Sequence, residues 1–569
     1  MSRIVDKIGL CLVNTALTLT GGLGYLGLKR ASADPRKSQM KILRKILRRN
    51  AGTSFGKDYD FRYILAADNP DEMLRRYREK VPAMEYENVR PYVNRMKSGE
   101  SDVLFAGKPV MYATTSGSTG EPKWIPESKA YISLSFGRMT RIWMYNLMRL
   151  RPLVHSGRSL CIVGSKVEGH TDDGATYGSV SAYTMNNSPR FIRRRFAVPA
   201  PVFEISDYTA RNYAVLRFAL EKDITLAITA NPSTMMELQN TLDEWKEECI
   251  RDIRNGTLNE GLDIAPEIRR ALLRSMRPNP RRADELEGLA AKYGTLKPKH
   301  FWPNLQVLST WKCGNTRIYL NKLEDSFPDG MIHQELAYFA SECRAGLVLD
   351  DSVDTVVFPH FNFFEFRKAS EADNPDAPFL CLDELKEGER YCPYVTTTSG
   401  LYRYNMNDVL QVSSKFVDTP RVHLVHKTNG IVSITGEKLY EGQFIGSVEQ
   451  AQEQTGLDLD YYVSYANLKE SRYDWYFEFR GGDVTQKDAQ VFAEAVDEAL
   501  METNIEYKSK RDSFRLKAPS VFRLKKGAFE KFKAIATSTV RGDASRFKPN
   551  VLSQNERLHK IIEKFKLKQ

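Results

Sequence analysis

The stretch that decides the fold is residues 112–126, YATTSGSTGEPKWIP. Hydroxyl-bearing residues and glycines occupy 114–120, after an apolar run at 103–110 that predicts a short strand, and Lys123 follows them. Glycines let backbone N–H groups approach an anion, hydroxyls add donors, and the lysine adds a positive charge. The order predicts a phosphate-binding loop. It is not a Walker A loop, because its glycines are too close together and its lysine follows a proline.

Composition and charge narrow the class of function. The 569 residues are 42% hydrophobic and 27% charged, which excludes a mostly disordered chain and a polytopic membrane protein. The formal net charge is +11, but most of it comes from residues 1–50, and the rest of the chain is nearly neutral. This distribution argues against a nucleic-acid binder. The seven cysteines show no paired spacing and no His/Cys cluster exists, which indicates reduced thiols and argues against a dedicated zinc site.

Two later segments resemble further elements of one superfamily. The loop at 112–126 resembles the phosphate-binding loop of adenylate-forming enzymes, which include acyl-CoA synthetases, luciferases and peptide-synthetase adenylation domains. Residues 338–342 (YFASE) have the spacing of that superfamily's Y-G-x-T-E element, and 401–409 fit its Y-R-x-G-D element. A tyrosine ring can stack on adenine, a hydroxyl can donate to a phosphate, and a carboxylate can hold Mg²⁺. Each later element is weak alone, but three in order on one chain are a strong indication.

Finer detail resembles the auxin-responsive Gretchen Hagen family of acyl acid amido synthetases. The resemblance covers about residues 34–552, and the compact loop is more similar to that of bacterial members. The segments that carry it are 47–57, 301–305, 309–314, 338–342, 364–366, 397–404, 436–438 and 542–549.

The resemblance implies a fold and a reaction. The fold is the α/β adenylate-forming fold, with an N-terminal segment at 1–33, a large α/β adenylation domain at 34–425 and a small mobile α+β domain at 426–569. Family members activate a carboxylic acid with ATP and Mg²⁺ and then transfer the acyl group to an amine, usually an amino acid. The implied partners are these small molecules and no nucleic acid. Two alternatives stay open: an acyl- or aryl-CoA ligase, and a non-catalytic membrane-associated scaffold.

The resemblance also implies roles for individual residues. Lys123 and Glu342 would be catalytic, with Glu342 as the Mg²⁺ ligand, and Lys548 and Lys438 are candidate mobile lysines of the small domain. The implied ATP-binding residues are Thr115, Ser116, Gly117, Ser118, Thr119, Gly120, Lys123, Cys313, Gly314, Tyr338, Ser341, Asp408 and Lys427. The candidate residues of the acid pocket, expected within about 128–235, are Tyr131, Phe136, Met139 and Trp143. An aromatic stripe at helical spacing is more often part of a core, so this last set is the weakest prediction.

Four positions depart from the family pattern. Asn407 stands where glycine is usual before the ribose-binding aspartate, and Cys343 follows Glu342 where glycine is common. His426 and Lys427 replace a Gly-Arg pair at the expected hinge. Lysine lacks the planar fork of arginine, so a hinge contact to ribose or phosphate would be altered. None of these changes removes an indispensable charge, but together they leave the substrate range open.

The N-terminal segment allows three interpretations. Residues 8–28 contain no charged residue and have basic flanks, which suits a transmembrane helix of about 20 residues that keeps the body on the cytoplasmic side. The Ala-Ser-Ala sequence at 31–33 resembles a secretory cleavage site, although two basic residues precede it. The third interpretation is a glycine-rich helical hairpin packed on the body. The predicted localisation is cytoplasmic, with candidate anchoring to the cytoplasmic face of a membrane.

Overall fold

The computed structural model describes the chain as two compact units. The described residues are 2–115, 123–313, 320, 323–372, 374, 376–427, 431–432, 434–435, 437, 439–481, 484–512, 516–538 and 550–567. The first unit contains most of the residues up to 423, and the second contains those from 424 onwards together with the short pieces 313–321 and 407–409. The domain boundaries expected from the sequence, at 33/34 and 425/426, stay a prediction.

Short polar sequences start several helices of the first unit. Asp34 and Asn69 each precede a proline, and their side chains accept hydrogen bonds from the backbone N–H groups of Lys37 and Glu72. An Asp or Asn cap satisfies a free N–H group, and proline suits the first helical turn. The helices are α1 (Ser2–Ser32), α2 (Pro35–Asn50), α3 (Ser54–Asp58), α4 (Phe61–Leu65), α5 (Pro70–Lys80), α6 (Tyr86–Lys97), α7 (Lys129–Tyr131), α8 (Met139–Leu150), α9 (Val180–Asn186), α10 (Arg190–Arg193), α11 (Tyr208–Ala219), α12 (Ser233–Asn255), α13 (Pro266–Leu273), α14 (Pro280–Tyr293) and α15 (Pro298–Phe301). A π-helical segment, Ile132–Arg138, joins α7 to α8.

Three sheets organise the chain up to Lys427. The strands are β1 (Met111–Thr115), β2 (Lys123–Glu127), β3 (Arg158–Cys161), β4 (Gly169–His170), β5 (Thr176–Tyr177), β6 (Ile224–Ile228), β7 (Val307–Thr310), β8 (Ile332–Glu335), β9 (Gly346–Val348), β10 (Thr355–Val357), β11 (Phe363–Lys368), β12 (Leu380–Cys381), β13 (Arg390–Thr396), β14 (Tyr404–Asn405), β15 (Asp408–Phe416) and β16 (Thr419–Lys427). Their orders are β2-β1-β5-β4, β3-β6-β7-β8, and β12-β11-β13-β15-β16-β10-β9 with β14 beside β13. The β3-β6-β7-β8 sheet is parallel throughout, and its inner strands β6 and β7 are almost wholly buried.

The second unit is a small α+β body, as the alternating patterns after residue 430 predict. Its elements are β17 (Ile431–Val432), β18 (Leu439–Tyr440), α16 (Glu441–Thr455), β19 (Leu459–Asn467), β20 (Arg472–Phe479), α17 (Gln486–Thr503), α18 (Ile505–Asp512), β21 (Ser520–Arg523), α19 (Ala528–Ser538), β22 (Leu552–Ser553) and α20 (Glu556–Ile562). Its four-stranded sheet has the order β21-β20-β19-β22, and Phe444, Trp475 and Phe477 lie in its core. A polar cavity of about 490 Å³ between α16 and α17 contains none of the predicted site residues.

The predicted strand at 103–110 is wrong. Val103, Leu104 and Phe105 are buried, but the chain bends here and β1 begins only at Met111. Asp102 and Gly107 have φ angles of 57° and 94°, so the apolar run lies between two left-handed residues. A buried turn and a buried strand share the same short apolar pattern, and only the backbone angles distinguish them.

The N-terminal helix packs on the first unit. A Cβ added at Gly21 would lie 2.5 Å from the Arg141 carbonyl oxygen, and one at Gly24 would lie 2.6 Å from Ile142, so the glycines allow α1 and α8 to approach closely. Leu28 is fully buried in the same core. Among the described residues, no helix is both long enough and apolar enough to cross a membrane. The transmembrane interpretation of residues 8–28 is therefore not supported, and the contacts from Gly21 onwards fit the packed-helix interpretation.

Candidate active site

The predicted phosphate-binding loop connects the two strands of a hairpin. Thr115, the last residue of β1, pairs with Lys123, the first residue of β2, in an antiparallel register. The loop at 116–122, which includes the predicted ligands Ser116 to Gly120, lies outside the described residues. Its two ends are therefore held side by side, and Lys123 stands where the loop rejoins the sheet.

Lys123 lies against two tyrosines. Its Nζ donates to the Tyr404 hydroxyl at 3.4 Å and lies 5.8 and 6.0 Å from the ring centroids of Tyr86 and Tyr404. Tyr86 is held in turn by the backbone of Trp124, whose carbonyl accepts from the tyrosine hydroxyl at 3.1 Å. Aromatic faces attract an ammonium group at this range. Tyr86 escaped the sequence analysis, since it lies 37 residues before the lysine that it contacts.

The predicted nucleotide element at 338–345 is a tight hairpin. The Ala340 N–H donates to the Cys343 carbonyl at 2.9 Å, and the Ala345 N–H donates to the Tyr338 carbonyl at 3.1 Å. Ser341 and Glu342 occupy the tip between these bonds. Both are half-buried, and neither makes a hydrogen bond or ion pair within the described part of the chain. A carboxylate without a cationic partner, next to a free hydroxyl, suits a site that receives a metal ion and a phosphate.

The charge of Glu342 contributes to the pKa of a residue on β2, the strand that begins with Lys123. Burial raises the pKa of Glu127, on β2, well above its usual value; a hydrogen bond from Ser399 opposes this and the Glu342 carboxylate adds to it. Burial also raises the pKa of Tyr86, a hydrogen bond with Trp124 opposes it, and Glu342 contributes to the increase. The carboxylate of Glu342 and the amine of Lys123 therefore share Tyr86 as a neighbour. The structure thus places two of the predicted catalytic charges in one region.

The other predicted nucleotide residues are placed individually. Tyr338 is buried, and its N–H donates to the Thr355 hydroxyl at 2.8 Å. Cys313 is half-buried and Asp408 is buried at the start of β15, and both group with the second unit. Lys427 ends β16. Gly314, Lys438 and Lys548 lie outside the described residues.

The departure at Asn407 has a conformational cause. Its φ angle is 54°, in the left-handed region that glycine adopts without strain. Asparagine is among the few other residues that tolerate this region. The substitution therefore keeps the turn before Asp408.

Two of the predicted acid-pocket residues line one aromatic wall. The Tyr131 hydroxyl accepts from the Arg344 N–H at 2.8 Å, and the Phe136 ring meets Phe339 edge-on at 5.9 Å. Phe136 belongs to the π-helical segment, a feature that occurs frequently at functional sites. Met139 and Trp143 instead lie in the core that also holds Leu28, Val307 and Val356, which favours the structural interpretation for these two.

Two of the segments that resemble the family hold the scaffold together. Arg403 donates from Nε to the Glu365 carboxylate at 2.8 Å, and Arg78 donates to its second oxygen at 2.8 Å. Both Glu365 and Arg403 are almost fully buried. The Tyr402 hydroxyl accepts from Asn50 at 2.9 Å, and its ring stacks on Phe55. These residues therefore join the opening helices to the sheet beneath the candidate site.

Comparisons with known proteins agree with this architecture. The chain matches the GH3 family N-terminal domain at 27–332, the central domain at 355–427 and the C-terminal domain at 443–557. The solved structure of the GH3.15 acyl acid amido synthetase has a TM-score of 0.81 at 22% identity and covers 98% of this chain and 97% of its own. A 2-hydroxyisobutyryl-CoA ligase shares the fold more distantly, with a TM-score of 0.52 at 11% identity and coverage of 93% and 91%.

Curated relatives point to one enzyme class. An Arabidopsis thaliana indole-3-acetic acid-amido synthetase, GH3.10, is 25% identical over 80% of this chain and 82% of its own length. The 4-substituted benzoates-glutamate ligase GH3.12 of the same plant is 26% identical over 86% and 87%. These matches confirm the predicted fold class and ligase class. On the family matches, which cover most of its length, the chain belongs to the GH3 family.

Proposed function

We propose that this protein activates a carboxylic acid with ATP as an acyl-adenylate and transfers the acyl group to an amine, in particular an amino acid, to form an amide. The observation that carries the proposal is the half-buried, unpaired carboxylate of Glu342 at the tip of a hairpin, with Lys123 beyond Tyr86. Membership of a family of amido synthetases supports the same reaction.

In the first half-reaction, a carboxylate oxygen of the acid attacks the α-phosphorus of ATP and the bond to pyrophosphate breaks. The loop residues from Thr115 to Gly120 would hold the phosphates with their N–H and hydroxyl groups, and Lys123 would balance the negative charge. Ser341 would donate to the α-phosphate. Mg²⁺, when bound, would neutralise charge on the phosphates, and Glu342 has the unpaired carboxylate that can hold it.

The nucleoside would be recognised by five further residues. Tyr338 would face the adenine, with Cys313 and Gly314 on the other side of the base. Asp408 would accept hydrogen bonds from both ribose hydroxyls. Lys427 would contact the nucleotide from the hinge.

In the second half-reaction, the amine attacks the acyl carbon and the bond to AMP breaks. The mixed anhydride already supplies a good leaving group, so the chain needs no nucleophilic side chain of its own. The small domain is expected to rotate between the two half-reactions, and Lys438 and Lys548 are the lysines that this motion would exchange.

Pyrophosphate exchange with a panel of acids tests the proposal. Exchange that depends on one acid class is the expected result. Lys123→Ala and Glu342→Ala should each abolish exchange while the protein stays folded. The matched controls Lys129→Ala and Glu387→Ala remove exposed charges of the same type and should leave the rate unchanged. No exchange with any acid, from folded protein that does not bind ATP, would favour the scaffold alternative.

The acceptor is tested separately. AMP release that rises with added amino acid supports amide formation. Release that rises only with coenzyme A would identify a CoA ligase, the alternative with the same first half-reaction.

Peripheral contact of α1 with a membrane is a separate proposal. Leu19, Leu23 and Leu26 are exposed by 61%, 70% and 51% and lie on one side of the helix, next to Lys29 and Arg30. Apolar and basic residues together favour an anionic lipid surface. Flotation with phosphatidylserine vesicles that is lost in Leu19→Ser/Leu23→Ser protein would support this contact, and protein that stays at the bottom of the gradient would refute it.

A further inference from the structure

Arg344 is a buried cation with no carboxylate partner in the described structure. It lies on the second arm of the hairpin whose tip carries Glu342, and only 7% of it is exposed. Its Nη1 donates to the Ser135 carbonyl and to the Thr140 hydroxyl, both at 2.9 Å. Its Nε is buried and has no hydrogen-bond partner there.

The other buried arginines of the described chain are paired. Arg403 has the Glu365 carboxylate at 2.8 Å, and Arg217 has Glu221 at 3.0 Å. Because a guanidinium stays charged in proteins, a buried one normally requires such a partner. Burial lowers the pKa of Arg344 to about 10, opposed only by Tyr131, and no carboxylate contributes. Within the part of the chain that the structure describes, the pairing of Arg344 is therefore incomplete.

The position of Arg344 connects it to the acid pocket. Its guanidinium lies 5.5 Å from the ring centroid of Phe339, which is the partner of Phe136. Ser135 and Thr140, its two acceptors, belong to the π-helical segment and to the start of α8. Arg344 is two residues from Glu342, at the point where the chain leaves the tip of the hairpin.

We propose that Arg344 binds a second anionic group of the acid substrate, at the end opposite the carboxylate that is adenylated. The inference rests on the proposed function, because it takes this wall as part of the acid pocket. The substrate class is then a dicarboxylic acid, or an acid with an equivalent anion at the end opposite the reacting carboxylate. The planar fork of arginine matches a carboxylate, and the free Nε–H supplies a donor for it.

Matched acids of equal shape test this inference. We would measure pyrophosphate exchange, without any amine, for terephthalate against 4-methylbenzoate and for adipate against hexanoate. The wild type should prefer the dicarboxylate of at least one pair in kcat/KM by ~10- to 100-fold, the range for hydrogen bonds to charged groups. In Arg344→Met the kcat/KM values of the two acids of each pair should become equal, whatever the rate of that variant, and Arg344→Lys should restore part of the preference. Arg138→Met, which removes an exposed charge from the π-helical segment, should leave the preference unchanged.

The outcomes separate the inference from the proposed function. Equal rates within both pairs, or a preference that survives in Arg344→Met, would overturn the inference and leave adenylation intact. If no acid supports exchange, calorimetric titration of the same acids into the protein measures their binding directly and decides whether the anion site exists. Dicarboxylate binding that Arg344→Met abolishes would uphold the anion site while adenylation fails, and absence of such binding would refute the site. Omission of the amine excludes the carboxylate of an amino acid acceptor as the anion detected.

Discussion

Replacing Glu365 with glutamine should destabilise the first unit strongly without changing the chemistry. Glu365 is 1% exposed and accepts from Arg403 and Arg78 through separate oxygens, each at 2.8 Å. Arg78 is partly exposed and can be hydrated again, whereas the Arg403 side chain is only 4% exposed. Glutamine keeps the shape, and its amide oxygen can still accept one hydrogen bond, but it removes the counter-charge. The buried Arg403 guanidinium then has only neutral acceptors, among them the carbonyls of residues 78 and 81. Breaking a buried pair in this way costs about 3–5 kcal/mol.

Urea unfolding measures this cost. The transition of Glu365→Gln should move to lower urea with an unchanged slope, since the substitution alters stability and not the surface exposed on unfolding. Glu79→Gln, which breaks a solvent-exposed ion pair with Arg75, is the matched control and should leave the midpoint where it is. The exchange activity of the folded fraction should match the wild type. A loss below about 1 kcal/mol would refute the reasoning, because it would mean that neutral carbonyls alone compensate Arg403.

Three further predictions concern the site, the N-terminal helix and acid stability. Tyr404→Phe removes the hydroxyl that Lys123 contacts. It should lower kcat/KM in pyrophosphate exchange about 10-fold and leave the unfolding midpoint unchanged. An unaltered rate would show that the contact does not position the lysine. Leu28→Ala should cost about 2–5 kcal/mol in urea unfolding because Leu28 is fully buried, whereas the exposed Leu23→Ala should cost less than ~0.5 kcal/mol; equal costs would contradict the packing of α1. Burial, assisted by Lys312, lowers the pKa of His333 from 6.5 to about 4. The neutral His333 therefore contributes fully to the free energy of unfolding above pH 6.5, and this contribution is lost as the pH falls towards 4. His333→Gln should remove about 3 kcal/mol of that loss, and a variant whose stability falls with pH in parallel with the wild type would refute this.

Residue spacing predicted the site better than apolar patterning predicted the strands. The interval from the first glycine to Lys123 fixes a loop that rejoins a sheet, and the structure has the Thr115–Lys123 pair at its base. The apolar run at 103–110 led to a wrong strand prediction, because apolar residues are buried in a bend just as they are in a strand. Only the positive φ angles of Asp102 and Gly107 distinguish the two. Asn407 looked like a departure until its backbone angle explained it.

The sequence could not predict contacts between segments that are distant along the chain. Tyr131 and Arg344 are 213 residues apart, and their hydrogen bond depends on the end of α7 meeting a hairpin. Nothing in the local sequence reveals that Arg344 is buried or that it lacks a carboxylate. The core position of Met139 and Trp143 could not be predicted for the same reason, since helical spacing identifies a buried face but not what that face is buried against.

If the acid binds as we propose, the close approach of α1 to α8 gives the first helix an influence on which acids are accepted. Gly21 leaves no space between the two backbones, and α8 begins with the residues that follow the π-helical segment. The π-helical segment, proposed to face the acid, is thus continuous with a helix that packs on α1, whose residues would not touch the substrate. Exchanging the N-terminus between relatives, or fusing a tag to it, should alter which acids are accepted. Engineering of new acid preference can therefore begin at Gly21 and Gly24, where a single methyl group would displace the wall.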